Sequence, residues 1–464
     1  MPVFAGRPEY NIFAIPISRR FLLYAPLHNL AALVDRTAVQ RLRDGLLSGR
    51  TVARGRLSEI ARVLDAGAEP APSPAQGDFT PPFLGLLPTR GCNLSCRYCG
   101  FLASQESQKV MPLELARDAV NWYMGVVGRA GARHAEVHYF GGEPFCVEEV
   151  LDLTVHLARI RAREAGCTVR FEVATNGAFG EERCRWAADN LDTIVLSLDG
   201  PADIQDRHRP HKDGRGSFET VERSARILSE GSADLFLRAC VTRETVERMP
   251  EIAAWFCEDF RPRGVCFEPL QPSVQSEAAQ LEPPDPWDFA RNFIRAAWIL
   301  ESHGVKPIYA AADIQTRRVS FCPVGKDVAI VSPDGTISAC YLLQRDWEAK
   351  GLDLRLGRIE DGSVQLCADA LASVRSLNVH NKPFCARCFC KWHCAGGCHV
   401  NHTPTGPPGA YDRLCVQTRI IALRNVLKAM GQDHLAREWL RDREAVERAV
   451  YQSSDLLLDL EEVA

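Results

Sequence analysis

The chain has 464 residues, a formal charge of -4, 46% apolar and 25% charged side chains. At ~150 residues per domain the length allows about three domains, one of which can be a barrel, and the composition excludes a disordered chain or a disulfide-held miniprotein. There is no positive field to hold nucleic acid or an acidic bilayer, no apolar run of the ~20 residues a membrane span needs, and no secretion signal in the opening MPVFAGRPEYNIF; a cytoplasmic protein is expected.

From Asn11 to Val34 apolar and polar residues alternate, and Thr37 to Leu47 and Leu57 to Leu64 have helical spacing, so residues 1–67 predict a small β-then-α module. Residues 68–82, AEPAPSPAQGDFTPP, read as a linker. Strand-like segments follow at Phe83 to Leu87, Ala135 to Phe140, Thr168 to Ala174, Thr193 to Leu198, Leu235 to Val241 and Val265 to Glu268, with amphipathic helices between them. That alternation is the pattern of βα units around a parallel sheet. Active sites in such folds gather at the C-terminal strand ends. A cysteine loop, Gly141-Gly142-Glu143-Pro144, Thr175-Asn176-Gly177, Ser197-Leu198-Asp199-Gly200 and Glu268-Pro269 all fall there. Past Cys415, Ile420 to Met430 and Leu435 to Leu458 have the spacing of packing helices.

Eighteen cysteines in a reduced compartment point to metal or catalysis rather than disulfides. Cys92, Cys96 and Cys99 form a C-x3-C-x2-C loop. Three thiolates can hold three irons of a cubane and leave the fourth open, or supply three zinc ligands beside a distant histidine. Cys385-x2-Cys388-x5-Cys394-x3-Cys398 is a second metal-site pattern, flanked by Cys322, Gly335 and Cys340 upstream and Cys415 downstream. A zinc ribbon needs paired C-x2-C knuckles, and one such pair is present; the spread of the other thiols suits larger clusters. Cys146, Cys167, Cys184, Cys240, Cys257, Cys266 and Cys367 lack metal spacing and are expected to be mostly small buried hydrophobes. His393 and His399 flank cluster thiols without spacing to a second histidine, which suits support or solvation better than ligation.

Cys92, Cys96, Cys99 and Tyr98 after an apolar strand resemble the signature of the radical S-adenosylmethionine (radical SAM) superfamily, and the later cysteines resemble its SPASM extension, as found in peptide maturases. The resemblance covers about residues 80–420. It implies an α/β fold: a partial (βα)6 TIM-like barrel over 83–310, a Cys-rich SPASM domain over 311–420 and C-terminal helices over 421–464, behind the small N-terminal α+β module. It also implies a [4Fe-4S] cluster on Cys92, Cys96 and Cys99 that binds SAM. The Tyr98 backbone would meet adenine, Gly142 and Glu143 the methionyl amino group, Ser197 (with Asp199) the ribose side, Arg209 or Arg238 the carboxylate, and Leu270 the adenine face. Of two auxiliary iron-sulfur clusters, one would take Cys385, Cys388, Cys394 and Cys415. The other would take Cys322, Cys340 and Cys398, and here the family's further cysteine is missing, leaving an open iron or a substitute such as Asp327 or Cys390.

The implied activity is reductive SAM cleavage and hydrogen abstraction from a peptide, giving a crosslink or oxidised residue. An external one-electron donor such as flavodoxin or ferredoxin would serve it, and the N-terminal module weakly resembles elements that recognise a leader peptide, a packed cap being the alternative. The nearest alternative is an anaerobic sulfatase-maturating enzyme, in which an aspartate acting as base directly follows the cysteine equivalent to Cys340; here that residue is Tyr341. A non-catalytic metal scaffold is the alternative from another class.

Overall fold

The computed structural model describes residues 11–48, 55–101, 109–402 and 411–456. Most of the opening segment read for a secretion signal, residues 1–10, lies outside them. Among the described residues the strands form two sheets, and no helix is long and apolar enough to cross a membrane.

The alternation from Asn11 produces β1 (Phe13–Ile17), β2 (Arg20–Ala25) and β3 (Leu30–Val34), an antiparallel meander followed by helices Arg36–Ser48 and Arg56–Asp65. One face, with Ala14, Leu23, Ala32 and Val34, packs against Leu42, Ile60 and Leu64 of these helices. The second sheet holds β4 (Leu84–Leu86), β5 (His134–Tyr139), β6 (Thr168–Thr175), β7 (Thr193–Ser197), β8 (Asp234–Val241) and β9 (Gly264–Pro269), all parallel and in sequence order. These are the six expected strands. Period-2 alternation buries Val137, Tyr139, Phe171, Val173, Ile194, Leu196, Leu235 and Leu237. It leaves His138, Glu172, Ser197, Arg238 and Glu268 half-buried on the opposite face.

Two features differ from expectation. The parallel run gains β10 (Lys306–Ile308) beside β9, while β11 (Ala329–Val331) adds parallel to β4 and leads into antiparallel β12 (Thr336–Ser338), β13 (Arg355–Glu360) and β14 (Ser363–Leu366). One continuous sheet therefore crosses the expected boundary at 310/311. Helices Arg413–Ala429, Asp433–Trp439 and Arg443–Tyr451 fulfil most of the helical spacing after Cys415, but the chain then turns into β15 (Ser454–Asp455), paired with β1; residues 457 and 458 lie outside the described residues.

The first and last described strands thus pair, and residues beside them meet the cysteine-rich segment. Asn11 Nδ2 donates to Asp455 Oδ2 (3.0 Å) and to the Ala386 carbonyl (3.3 Å), while Asn11 Oδ1 accepts from Trp392 Nε1 (3.2 Å). The Tyr24 hydroxyl meets His393 Nε2 at 2.5 Å, and Phe13 sets its ring edge-on to Phe389 at 6.4 Å. Asn11→Ala would strand buried partners on both sides of this junction. The expected cost is about 1–3 kcal/mol, read as a lowered midpoint in denaturant unfolding; an unchanged midpoint would show the junction to be incidental.

Candidate active site

The cysteine loop is pinned to two strand ends on one side. Beyond β5 the chain continues parallel to the chain leaving β4: the Gly142 N–H donates to the Thr89 carbonyl (3.0 Å) and the Glu143 N–H to the Gly91 carbonyl (2.9 Å). A Cβ on Gly142 would stand 1.9 Å from the Gly91 oxygen, and Gly141 has φ of 143°, so the approach needs both glycines. Glu143 is 1% exposed. Its carboxylate accepts from Thr175 Oγ1 (2.7 Å), the Asn176 N–H (2.7 Å) and the Phe145 N–H (3.1 Å). Burial pushes the carboxyl up to about 7 against the pull of those donors.

Asn176 continues the chain of contacts, its Nδ2 donating to Asn93 Oδ1 (2.8 Å) and reaching Cys92 Sγ (3.4 Å); the Leu94 N–H points at the same sulfur (3.4 Å). Asn93 Nδ2 in turn donates to the Ala178 carbonyl (2.7 Å). Sequence reading placed Asn176 at the mouth without a role. Its link to Cys92 spans 84 residues and leaves no local trace.

On the other side, residues 208–211 run along the loop: the Ser95 N–H donates to the Pro210 carbonyl (2.8 Å) and the Arg97 N–H to the His208 carbonyl (2.9 Å). This brings Arg209 to Cys96. Behind them Asp199, 1% exposed, accepts from the Tyr98 hydroxyl (2.5 Å) and the Cys240 N–H (3.0 Å), and its Oδ2 meets His208 Nδ1 at 3.2 Å. Arg209 Nε lies 3.1 Å from Asp199 Oδ1, an ion pair by distance that lacks hydrogen-bond alignment. Burial alone would raise the Asp199 carboxyl; the Arg209 guanidinium and His208 override it and hold it at about 2. The guanidinium also sits 5.3 Å from the Tyr98 ring centroid.

Arg238, paired in register with Ser197, faces Cys266 and Glu268, and its buried Nε has no partner among the described residues. Leu270 is buried, with its N–H on the Val241 carbonyl (2.9 Å). The Tyr98 carbonyl accepts from Ser273 Oγ (3.2 Å). The fold therefore brings the cysteine loop, Tyr98, Gly142, Glu143 and Arg209 to one mouth. Arg238 stands apart from Arg209 with partners of its own, though each feels the charge of the other.

The remaining thiols gather in two groups. Cys322, Cys340 and Cys398 lie within reach of each other's charge. Cys385, Cys388, Cys394 and Cys415 line one cavity with His402, Tyr411 and Arg419. Every cysteine is a free thiol. Burial pushes Cys96, Cys340, Cys385 and Cys394 up to about 12 and Cys322 to about 11, so thiolates are stable there only beside compensating cations. Irons would supply that compensation, and the donor sets of three, three and four thiols fit cluster ligation.

Both suggested substitutes have other partners in this structure. Asp327 gives both carboxylate oxygens to Arg375 (2.8 and 2.7 Å) and accepts from the Thr80 N–H (2.9 Å), while the Cys390 thiol hydrogen-bonds to Cys388 in the other group. His402, which sequence reading did not single out, turns Nε2 to Cys415 Sγ (3.3 Å) and Asp412 Oδ1 (3.2 Å). His393 and His399 are buried, which removes solvation as their role. Of the seven spare cysteines, Cys184, Cys257 and Cys266 are buried as expected, but Cys146 and Cys367 are exposed.

The family model for the Radical SAM superfamily matches residues 86–256. The chain is 25% identical over 331 residues to a cysteine-type anaerobic sulfatase-maturating enzyme of Clostridium perfringens, covering 66% of this chain and 86% of that one. It is 28% identical over 344 residues to a serine-type anaerobic sulfatase-maturating enzyme of Klebsiella aerogenes, covering 70% and 80%. In fold it is similar to the solved structure of native anSMEcpe with bound AdoMet and Cp18Cys peptide, with TM-score 0.59, 20% identity, and coverage of 76% of this chain and 99% of that one.

Gly142→Ala is expected to break the turn, because the Gly91 carbonyl is backbone and cannot give way. SAM binding by equilibrium dialysis should fall to background while the far-ultraviolet circular dichroism stays that of the parent. Retained binding would mean that the close approach is dispensable.

Proposed function

We propose that this chain, an enzyme that carries a radical SAM domain, modifies a peptide by hydrogen abstraction. The observation that carries the proposal is the three-thiol loop braced from both walls of one barrel mouth, with no fourth cysteine in the signature. When bound, the cluster supplies the electron that splits SAM into methionine and a 5′-deoxyadenosyl radical, which takes hydrogen from the substrate.

The chain's own residues bind and orient. Cys92, Cys96 and Cys99 would hold the cluster, with Asn176 and the Leu94 N–H donating to Cys92. The Gly142 main chain would approach the methionyl amino group. Glu143 keeps its carboxylate on the end of β6, so its part is to fix the turn and to present negative charge behind an ammonium. Arg209, paired with Asp199, would grip the carboxylate, a task that suits a planar guanidinium. Ser197 and Leu270 would complete the ribose and adenine sides, and Arg238, beside Glu268, is the second candidate for an anionic group. An external flavodoxin or ferredoxin would supply electrons. The peptide substrate draws support from the relatives, one of which has a peptide bound in its solved structure. The N-terminal module would take a leader segment.

A second reading, oxidation of Cys or Ser to formylglycine, draws support from the names of the relatives. Against it stands Tyr341. A Cβ on Gly85 would lie 2.8 Å from the Tyr341 hydroxyl, and Phe140 stacks at a tilt 4.8 Å away. Burial there, with Glu172 nearby, drives the phenol far above its ordinary value, so it stays protonated and cannot replace a carboxylate base.

Two experiments test the proposal. Cys92→Ala, Cys96→Ala and Cys99→Ala together should abolish 5′-deoxyadenosine formation and leave auxiliary iron bound; continued SAM cleavage would refute the assignment. Mass spectrometry of a Cys- or aromatic-containing peptide co-expressed with the enzyme should show loss of hydrogen atoms without a hydrazide-reactive carbonyl. A product that reacts with hydrazide would assign the chain to the formylglycine reaction instead.

A further inference from the structure

Arg419 lies on helix Arg413–Ala429, between the cysteine-rich segment and the closing strand β15. It is 1% exposed. Its Nη1 donates to Cys388 Sγ at 3.0 Å, its Nε to the Val450 carbonyl at 3.0 Å, and its Nη2 to Ser453 Oγ. The guanidinium is sandwiched between Phe389 and Tyr411, 4.1 and 4.0 Å from their ring centroids. No carboxylate pairs with it among the described residues. A buried arginine without an acidic partner is costly unless a negative group faces it, and the group it faces is a cysteine sulfur.

The two thiol groups differ in this respect. The Cys322, Cys340 and Cys398 group receives backbone donors, Val324 at Cys322, Leu342 at Cys340 and the Asn401 N–H on Cys398 Sγ at 3.3 Å, and no side-chain donor among the described residues. Lysines do not separate the groups: Lys382 lies within reach of Cys385 and Cys394 on one side and of Cys322 and Cys398 on the other, while Lys391 stands near Cys385 and Lys326 near Cys322. The difference is the guanidinium, to which His402 adds a second side-chain contact at Cys415. Net charge and hydrogen bonds to the sulfurs set cluster potentials, and a fixed cation favours the reduced, more negative state.

We propose that Arg419 sets the reduction potential of the cluster held by Cys385, Cys388, Cys394 and Cys415, making it the less negative of two auxiliary centres. The inference rests on the reading of those four thiols as ligands of one cluster. Arg419 acts through Cys388 and is a positioning residue.

The test is a redox titration followed by electron paramagnetic resonance, in the full chain carrying Cys92→Ala, Cys96→Ala and Cys99→Ala so that only auxiliary centres remain. Adding Arg419→Gln should move the higher of two auxiliary midpoints to more negative potential and leave the other in place, at unchanged iron per chain. Arg419→Lys, which restores the charge, should recover part of the shift. Two unmoved midpoints in loaded Arg419→Gln protein would overturn the proposal.

Because replacing a buried arginine can prevent loading, a second measurement keeps Arg419. With nitrogen-15 arginine incorporated, pulsed resonance on the higher-potential centre should detect coupling to a guanidinium nitrogen through the Cys388 hydrogen bond. Absence of that coupling overturns the proposal as well. A parent chain with no auxiliary iron overturns the cluster reading itself, and this proposal with it.

Discussion

Two buried carboxylates hold the mouth of the barrel together, and the cysteine loop has its shape because of them. Glu143 joins the end of β5 to that of β6, and Asp199 joins the end of β7 to Tyr98, Cys240 and residues 208–209. A carboxylate removed from water is tolerated only where donors replace the lost hydration. Glu143 has three donors and no ion pair among the described residues, the Arg209 charge being a minor influence there, and its carboxyl is pushed up by burial; Asp199 pairs with Arg209 at 3.1 Å, and its carboxyl is held down. The two walls are therefore electrostatically unlike. On the Glu143 side a positive group arriving beside the turn would relieve a standing cost, whereas on the Asp199 side the cation is already built in and leaves a guanidinium for an anion. A zwitterion with an ammonium and a carboxylate fits that polarity.

Most of the barrel was legible because each strand carries its own pattern. From His134 to Pro269 the sequence-derived strand limits fall within one or two residues of the structure, since alternation over five to eight residues sets both existence and register. The strands β10 to β12 and β15 have two or three residues each and too little length for a period to show. They exist because a neighbouring edge offers them unpaired backbone groups, which is a tertiary fact. In the antiparallel extension β13 and β14 are longer but lie toward the sheet edge with mostly exposed or half-buried side chains, so no clean alternation marks them. The C-terminal helical reading failed at Ser454, where pairing with Phe13 and Ala14 replaces helix.

Site residues divide along the same line. Gly142 could be found from sequence because its need is local: a glycine pair after a strand permits a backbone approach that a Cβ forbids. Asn176, His402 and Arg419 could not, because each acts through a sulfur brought near by folding. Asp327 shows the converse case. Its closeness in sequence to Cys322 suggested a ligand, yet Arg375 and the linker's Thr80 N–H claim its oxygens. The linker is thereby fastened to the cysteine-rich region instead of being a free tether, through contacts at Gly77, Asp78 and Thr80.

The N-terminal module is likewise fastened to the cysteine-rich segment. A recognition element on a flexible tether would share few buried polar contacts with its neighbour, whereas Asn11 and Tyr24 contact Ala386, Trp392 and His393 directly, among or beside the cluster thiols. Arg419 then bridges Cys388 to Val450 and Ser453, just before the strand that pairs with β1. A short series of contacts therefore joins β1 to Cys388: β1 to β15, β15 to its neighbour Ser453, and Ser453 to the guanidinium. The N-terminal sheet and the C-terminal thiols thus share one contiguous network of buried contacts, the arrangement of a packed cap rather than of a tethered element.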